Sequence, residues 1–238
     1  MTEFAQSSIP APGIQAVDWE TRVDYDRLRR HRLDRAKQAL DASTLGAVLV
    51  FETSNVRYLT GTHIGTWGYN KTERWALLTR QGTPWIWDFG SAAANPRLHS
   101  PWSDPSQSRG GNTGLQGAVA PAAGLASSAV EEIAAILRDE GLADAPLGVD
   151  VAEISVLRAL ETAGLQVVDG QQVMLDARQI KSRDEILLLS QAAAMVDGVY
   201  QDISEALKPG VRESDIVALA SARLIQMGSE QVEAINAI

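Results

Sequence analysis

Gly46-Ala-Val-Leu-Val-Phe-Glu-Thr-Ser-Asn-Val-Arg-Tyr-Leu-Thr-Gly61 is the stretch from which the fold is read. With Leu45 just ahead of it, its first part makes Leu45 to Phe51 a continuous apolar run that includes the β-branched Val48 and Val50. Such a run suits a strand covered on both faces, the pattern of a sheet with helices on either side. Asn55 then opens a turn, because its side chain can hydrogen-bond the local backbone. Gly61 closes the segment where a positive φ is called for.

Working outward, Leu28, Leu33, Ala36 and Leu40 space an amphipathic helix over Tyr25 to Asp41. The five arginines on it, Arg27, Arg29, Arg30, Arg32 and Arg35, read as a solvated face. Downstream, Arg74 to Thr79 and Pro84 to Phe89 form a hairpin about Gln81-Gly82. Trp85 and Trp87 fall on one face and Ile86 and Asp88 on the other. Ser91 to Gly124 reads as a long loop, being rich in Gly, Pro, Ser and Asn. A helix over Leu125 to Glu140 ends at Gly141. A strand at Leu147 to Val149, a helix at Ala152 to Ala163 and a strand at Leu165 to Val168 follow. This alternation predicts a three-layer α/β domain with a mixed sheet, spanning 25–177 after a mobile leader at 1–24.

The pattern changes after a hinge at 178–182. Ser182 and Glu185 have capping-box spacing at the head of a long helix to Leu207. Its apolar stripe is Ile186, Leu189, Ala193, Val196, Tyr200, Ile203 and Leu207. A second amphipathic helix, Glu213 to Met227, turns Ile216, Leu219, Ala220 and Leu224 inward. Two such helices cannot bury both their faces by themselves, so 183–238 reads as the start of a further, truncated domain.

Composition narrows the function classes. There are no cysteines among the 238 residues, which excludes disulfides, thiolate metal sites and a cysteine nucleophile and fits a cytoplasmic location. With 21 Lys and Arg against 30 Asp and Glu, the net charge of −9 disfavours nucleic acid. No apolar run reaches the ~20 residues of a membrane span. His31, His63 and His99 have no companions at metal-ligand spacing, so no metal site is expected. Nucleophile elbows are absent. Arg109-Gly-Gly-Asn-Thr-Gly114 lacks the strand–helix frame of a phosphate loop. No catalytic residue is assigned from the residues alone.

Two segments carry a family resemblance. Asn55-Val-Arg-Tyr58-Leu-Thr-Gly61 and Arg178-Gln-Ile-Lys181-Ser182-Arg-Asp-Glu185-Ile186 resemble motifs of the creatinase, prolidase and aminopeptidase P family, in the same order, followed by Leu207-Lys-Pro-Gly-Val211 and Glu213. The resemblance implies a ribonuclease-H-like N-terminal domain and the first helices of a pita-bread α+β catalytic domain. It implies a metal-dependent hydrolase, of the Xaa-Pro aminopeptidase, dipeptidase or creatinase kind, acting as a homodimer on a small peptide or small molecule. A divalent pair (Mn, Zn, Co or Fe) held by two Asp, one His and two Glu is implied downstream, so the chain as given is expected to bind no metal and to be catalytically incomplete. Trp67, Asn70 and Arg74, with Trp85-Ile-Trp-Asp88, are similar to the dimethylsulfoniopropionate lyase branch, which makes a lyase the alternative; a non-catalytic binding module is another. By position in the family, His63, Trp67, Tyr69 and Arg74 are expected at the substrate rim. Arg178, Lys181, Ser182 and Glu185 are expected to be structural.

Overall fold

The structure is a computed structural model and describes residues 22–63, 73–94, 98–111 and 119–230. It divides into two compact units: Arg29–Ile180, and the described residues up to Leu28 together with those from Lys181 onward. Helix α1 (Tyr25–Ala42) runs through the first of these boundaries.

In the larger unit the apolar run becomes β1 (Ala47–Val50), which lies inside a six-stranded sheet. β2 (Trp75–Thr79) and β3 (Trp85–Phe89) form the expected antiparallel hairpin. β5 (Leu147–Val149) and β6 (Val167–Asp169) run parallel to β1 on its other side. With β4 (Ser108–Gly111) the order is β4-β3-β2-β1-β5-β6. Side chains alternate across this mixed sheet. Leu49, Phe51, Trp75, Leu77 and Trp87 pack against α3 (Leu125–Asp139) and α4 (Ile154–Thr162). Val48, Val50, Ala76, Leu78 and Ile86 pack with α1, α2 (Thr53–Thr60) and α5 (Gln171–Gln179). The three-layer α/β architecture read from the sequence is therefore present.

Four local readings are corrected. Asn55 does not start a turn; it sits within helix α2, and Gly61, at φ 66°, ends that helix. The long loop contains β4, parallel to β3. Its Ser-Arg-Gly-Gly sequence has no strand pattern, and a Cβ on Gly111 would crowd the Trp75 ring at 3.2 Å. Helix α5, within the span given to the α/β domain, was not anticipated. The arginine face of α1 is largely engaged. Arg29 stacks 3.8 Å from the Trp102 ring centroid, Arg32 lies over Tyr58, and Arg35 donates to the carbonyls of Asp176 and Ala177.

The smaller unit contains α6 (Arg183–Ala206) and α7 (Glu213–Gln226). Ser182 and Glu185 form the expected capping box. The apolar stripe is largely exposed, as two helices lacking a cover for both faces would leave it: Ile186, Leu189, Val196, Tyr200 and Leu207 lie open, while Met195 and Val199 are buried. Arg223 on α7 reaches Asp202 on α6 at 2.5 Å.

Within this unit Asp184 is buried and accepts two N–H groups of Arg27, at 2.8 and 2.7 Å, and the amide of Asp24. The Arg27 hydrogen bonds hold its carboxyl below the ordinary aspartate value, against an opposing desolvation cost. A carboxylate with a lowered folded-state pKa stabilises above its unfolded pKa and loses that contribution as pH falls through the folded value. Asp184→Asn is expected to weaken the first turn of α6 by about 1–3 kcal/mol at neutral pH. The difference from wild type should shrink below about pH 4. Exchange of the Ile186 amide, which bonds the Ser182 carbonyl at 2.9 Å, reads both effects.

Candidate functional site

The Asn-x-x-Tyr-Leu-Thr-Gly segment is explained by what its side chains reach. Asp150, at the end of β5, accepts the amides of Phe51, Glu52 and Val151 and the Asn55 Nδ2 group, at 2.8, 3.1, 2.5 and 2.8 Å. One carboxylate thus joins the end of β1, the head of α2 and the end of β5. One helical turn on, the Tyr58 hydroxyl donates to the Ala177 carbonyl at 2.9 Å, tying α2 to the C-terminal end of α5. Gly61 permits close packing as well as the left-handed turn: a Cβ there would stand 2.7 Å from Arg29 Cδ and 3.2 Å from Trp102 Nε1. These motif residues build a frame.

The frame ends in a polar cluster at the C-terminus of α2. Thr60 Oγ1 and Thr62 Oγ1 are 2.7 Å apart, and Trp102 Nε1 donates to the Thr60 carbonyl at 3.0 Å. Arg74, one residue before β2, turns inward. Its Nε meets Asp88 Oδ1 on β3 at 2.5 Å, its Nη1 reaches the Thr62 carbonyl at 3.1 Å, and its Nη2 donates to Thr62 Oγ1. Arg74 and Asp88 are both buried, and Asp88 Oδ2 has no hydrogen-bond partner among the described residues. Burial pushes the Asp88 carboxyl above its ordinary value, while the Arg74 charge pulls it down. The arrangement brings Thr62 and Arg74 together.

Of the expected rim residues, Arg74 lies in this cluster and His63 adjoins it through Thr62; His63 is half-buried, with Nδ1 enclosed and without a partner among the described residues. Trp67 and Tyr69, and also Asn70, lie outside the described residues, as does the leader to residue 21. Of the hinge residues, Arg178 donates to the Met174 carbonyl within α5 at 3.2 Å. Asp150 and Thr62 were missed by sequence reasoning. An aspartate directly after a buried strand, Leu147-Gly-Val-Asp150, was the available signal for the first. Among the described residues no three His, Asp or Glu side chains gather as a metal cluster. The described residues do not fit a metal pair.

Comparison with known proteins agrees with this frame. Residues 32–180 match the Creatinase/Prolidase N-terminal domain, and the chain belongs to that family. The dimethylsulfoniopropionate lyase DddP of Roseovarius nubinhibens is 28% identical, over 88% of this chain and 48% of its own. The DddP of Roseobacter denitrificans is 26% identical, over 91% and 50%. An uncharacterized hydrolase/peptidase, y4tL of Sinorhizobium fredii, is 25% identical, over 81% and 48%. The chain spans about half the length of these curated relatives. In fold it resembles the Xaa-Pro dipeptidase from Bacillus anthracis, with a TM-score of 0.62 and 16% identity over 85% of this chain and 50% of that one. It also resembles the dipeptidase PepE from Mycobacterium ulcerans, with a TM-score of 0.60 and 21% identity over 88% and 52%.

Proposed function

We propose that this chain is the N-terminal portion of a metal-dependent enzyme of the creatinase/prolidase fold, and that its α/β unit supplies the rim of a small-molecule site through His63, Trp67, Tyr69 and the base formed by Arg74. The observation that carries this reading is the buried Arg74–Thr62–Asp88 cluster. It joins Thr62, just after α2, to Arg74, just before β2, which supports a shared role for the two flanks of the positions named. The metal ligands belong, in this reading, to a catalytic domain beginning after the 178–182 hinge, and the protein works in the cytoplasm.

Sequence relatives favour a lyase. Two named dimethylsulfoniopropionate lyases align over about nine-tenths of the chain. β-Elimination would remove a proton from the carbon beside the carboxylate and release dimethyl sulfide and acrylate. Hydrolysis of Xaa-Pro peptides is the second reading, favoured by the family itself and by the y4tL relative. The test is turnover by the product of the whole reading frame, loaded in turn with Mn, Zn, Co and Fe. Dimethyl sulfide release supports the lyase, and release of proline alone supports the peptidase. Activity on neither substrate with any metal overturns the enzyme and leaves a binding module.

Assembly as a homodimer is part of the proposal. The open apolar line on α6, with Tyr200 and Leu207 each about two-thirds exposed, supports it, because monomers rarely expose apolar patches beyond a few hundred Å². Sedimentation at micromolar concentration is expected to show the dimer. A clean monomer that binds no hydrophobic dye removes it.

A further inference from the structure

The Arg74–Asp88 pair is an unusual way to use an arginine and a carboxylate. Two buried groups of this kind ordinarily satisfy each other with two parallel hydrogen bonds. Here only one is made, from Nε to Oδ1. Asp88 Oδ2 is left without a donor among the described residues, although the residue is 1% exposed. The donors withheld from Asp88 go to the carbonyl and hydroxyl of Thr62. Leaving a buried carboxylate oxygen unpartnered is costly. β2 and β3 are already paired by their backbones through Trp75↔Trp87, Ala76↔Ile86 and Leu77↔Trp85. What the choice secures is Thr62. This residue is further held by its amide on Thr60 Oγ1 at 3.2 Å, and it directly precedes His63.

We infer that Asp88 and Arg74 are positioning residues: Asp88 orients the Arg74 guanidinium, and the guanidinium fixes the backbone and hydroxyl of Thr62 and thereby the placement of His63. The inference draws its use in the assembled protein from the rim assignment above. Its own content is local order at residues 60–63, so it can hold where the rim assignment fails, and the reverse.

The experiment compares amide exchange and the imidazole NMR signals of His63 in the 238-residue chain with those of Asp88→Asn, Arg74→Lys, Thr62→Val and Thr62→Ser. Asp88→Asn and Arg74→Lys should each speed exchange of the Thr62 amide about tenfold or more and shift or broaden the His63 signals. Leu49 in β1 and Ile133 in α3, both fully enclosed, should change less than about twofold. Thr62→Val leaves the ion pair intact and should reproduce the effect on His63, while Thr62→Ser, which keeps the acceptor, should restore wild-type behaviour. Equal acceleration at Thr62, Leu49 and Ile133 overturns the inference, because the pair would then only hold the sheet. Unchanged His63 signals in Thr62→Val overturn it too. If Asp88→Asn fails to fold, Thr62→Val and its serine counterpart decide the matter alone.

Discussion

Alanine in place of Asp150 is expected to destabilise the α/β unit by about 3–5 kcal/mol, because buried donors are left without an acceptor. The carboxylate takes the amides of Phe51, Glu52 and Val151 and the Asn55 side chain. Of these donors, the Phe51 amide and Asn55 Nδ2 are buried bonds that water cannot replace. Asp150→Asn keeps the shape but replaces one oxygen, which accepts two of the four donors, by an amide NH2, so roughly half the loss is expected there. Urea unfolding followed by tryptophan fluorescence measures both variants, with six tryptophans in the chain as reporters. A loss below about 1 kcal/mol for alanine would mean that the four donors find other partners.

Gly170→Ala should cost about 2–3 kcal/mol, the upper range for forcing a methyl group into a filled interior. Gly170 follows β6, and its amide donates to the Val149 carbonyl of β5 at 2.9 Å. A Cβ there would lie 2.7 Å from the Gly148 carbonyl carbon and 2.8 Å from the Val149 nitrogen, and these are backbone atoms that cannot swing aside. The gain from a stiffer unfolded chain, about 0.4–1 kcal/mol, offsets only part of this. Gly164, where the Cβ would meet nothing within 4 Å but φ is +82°, is a useful contrast, since alanine there is strained by backbone conformation alone. Thermal melting of the two variants side by side checks the difference in cause: only Gly170→Ala should loosen amide protection at the β5–β6 pairing.

Sequence periodicity revealed those parts of the fold whose side chains act locally. The apolar run of β1, the hairpin with its alternating tryptophans, and the Val130, Ile133, Ala134 and Leu137 stripe of α3 each bury the face that their own spacing marks. Helix α2 escaped because Asn55, a poor helix former when its side chain turns back on the local backbone, spends that side chain on Asp150, 95 residues away. Strand β4 escaped because its pairing is made by the backbone and its Gly111 lies against Trp75. On α6 two apolar lines compete. The longer one, from Ile186 to Leu207, was legible from its spacing and lies open; the shorter one through Met195 and Val199, which packing buries, was not read. For the candidate site, Arg74 was legible as a residue worth naming. Its partner Thr62, 12 positions back, was not, since no spacing rule links a helix end to the start of a strand.

The position of Asp150 has one more implication. β1 and β5 are parallel neighbours, yet the chain leaves them toward opposite faces of the sheet, to α2 on one side and α4 on the other. In open α/β sheets such a divergence leaves a crevice beyond the strand ends, and that crevice is the usual seat of a bound ligand. Here the Asp150 carboxylate fills it with four hydrogen bonds from the surrounding chain. A guest at this switch point would have to displace the keystone of its own host.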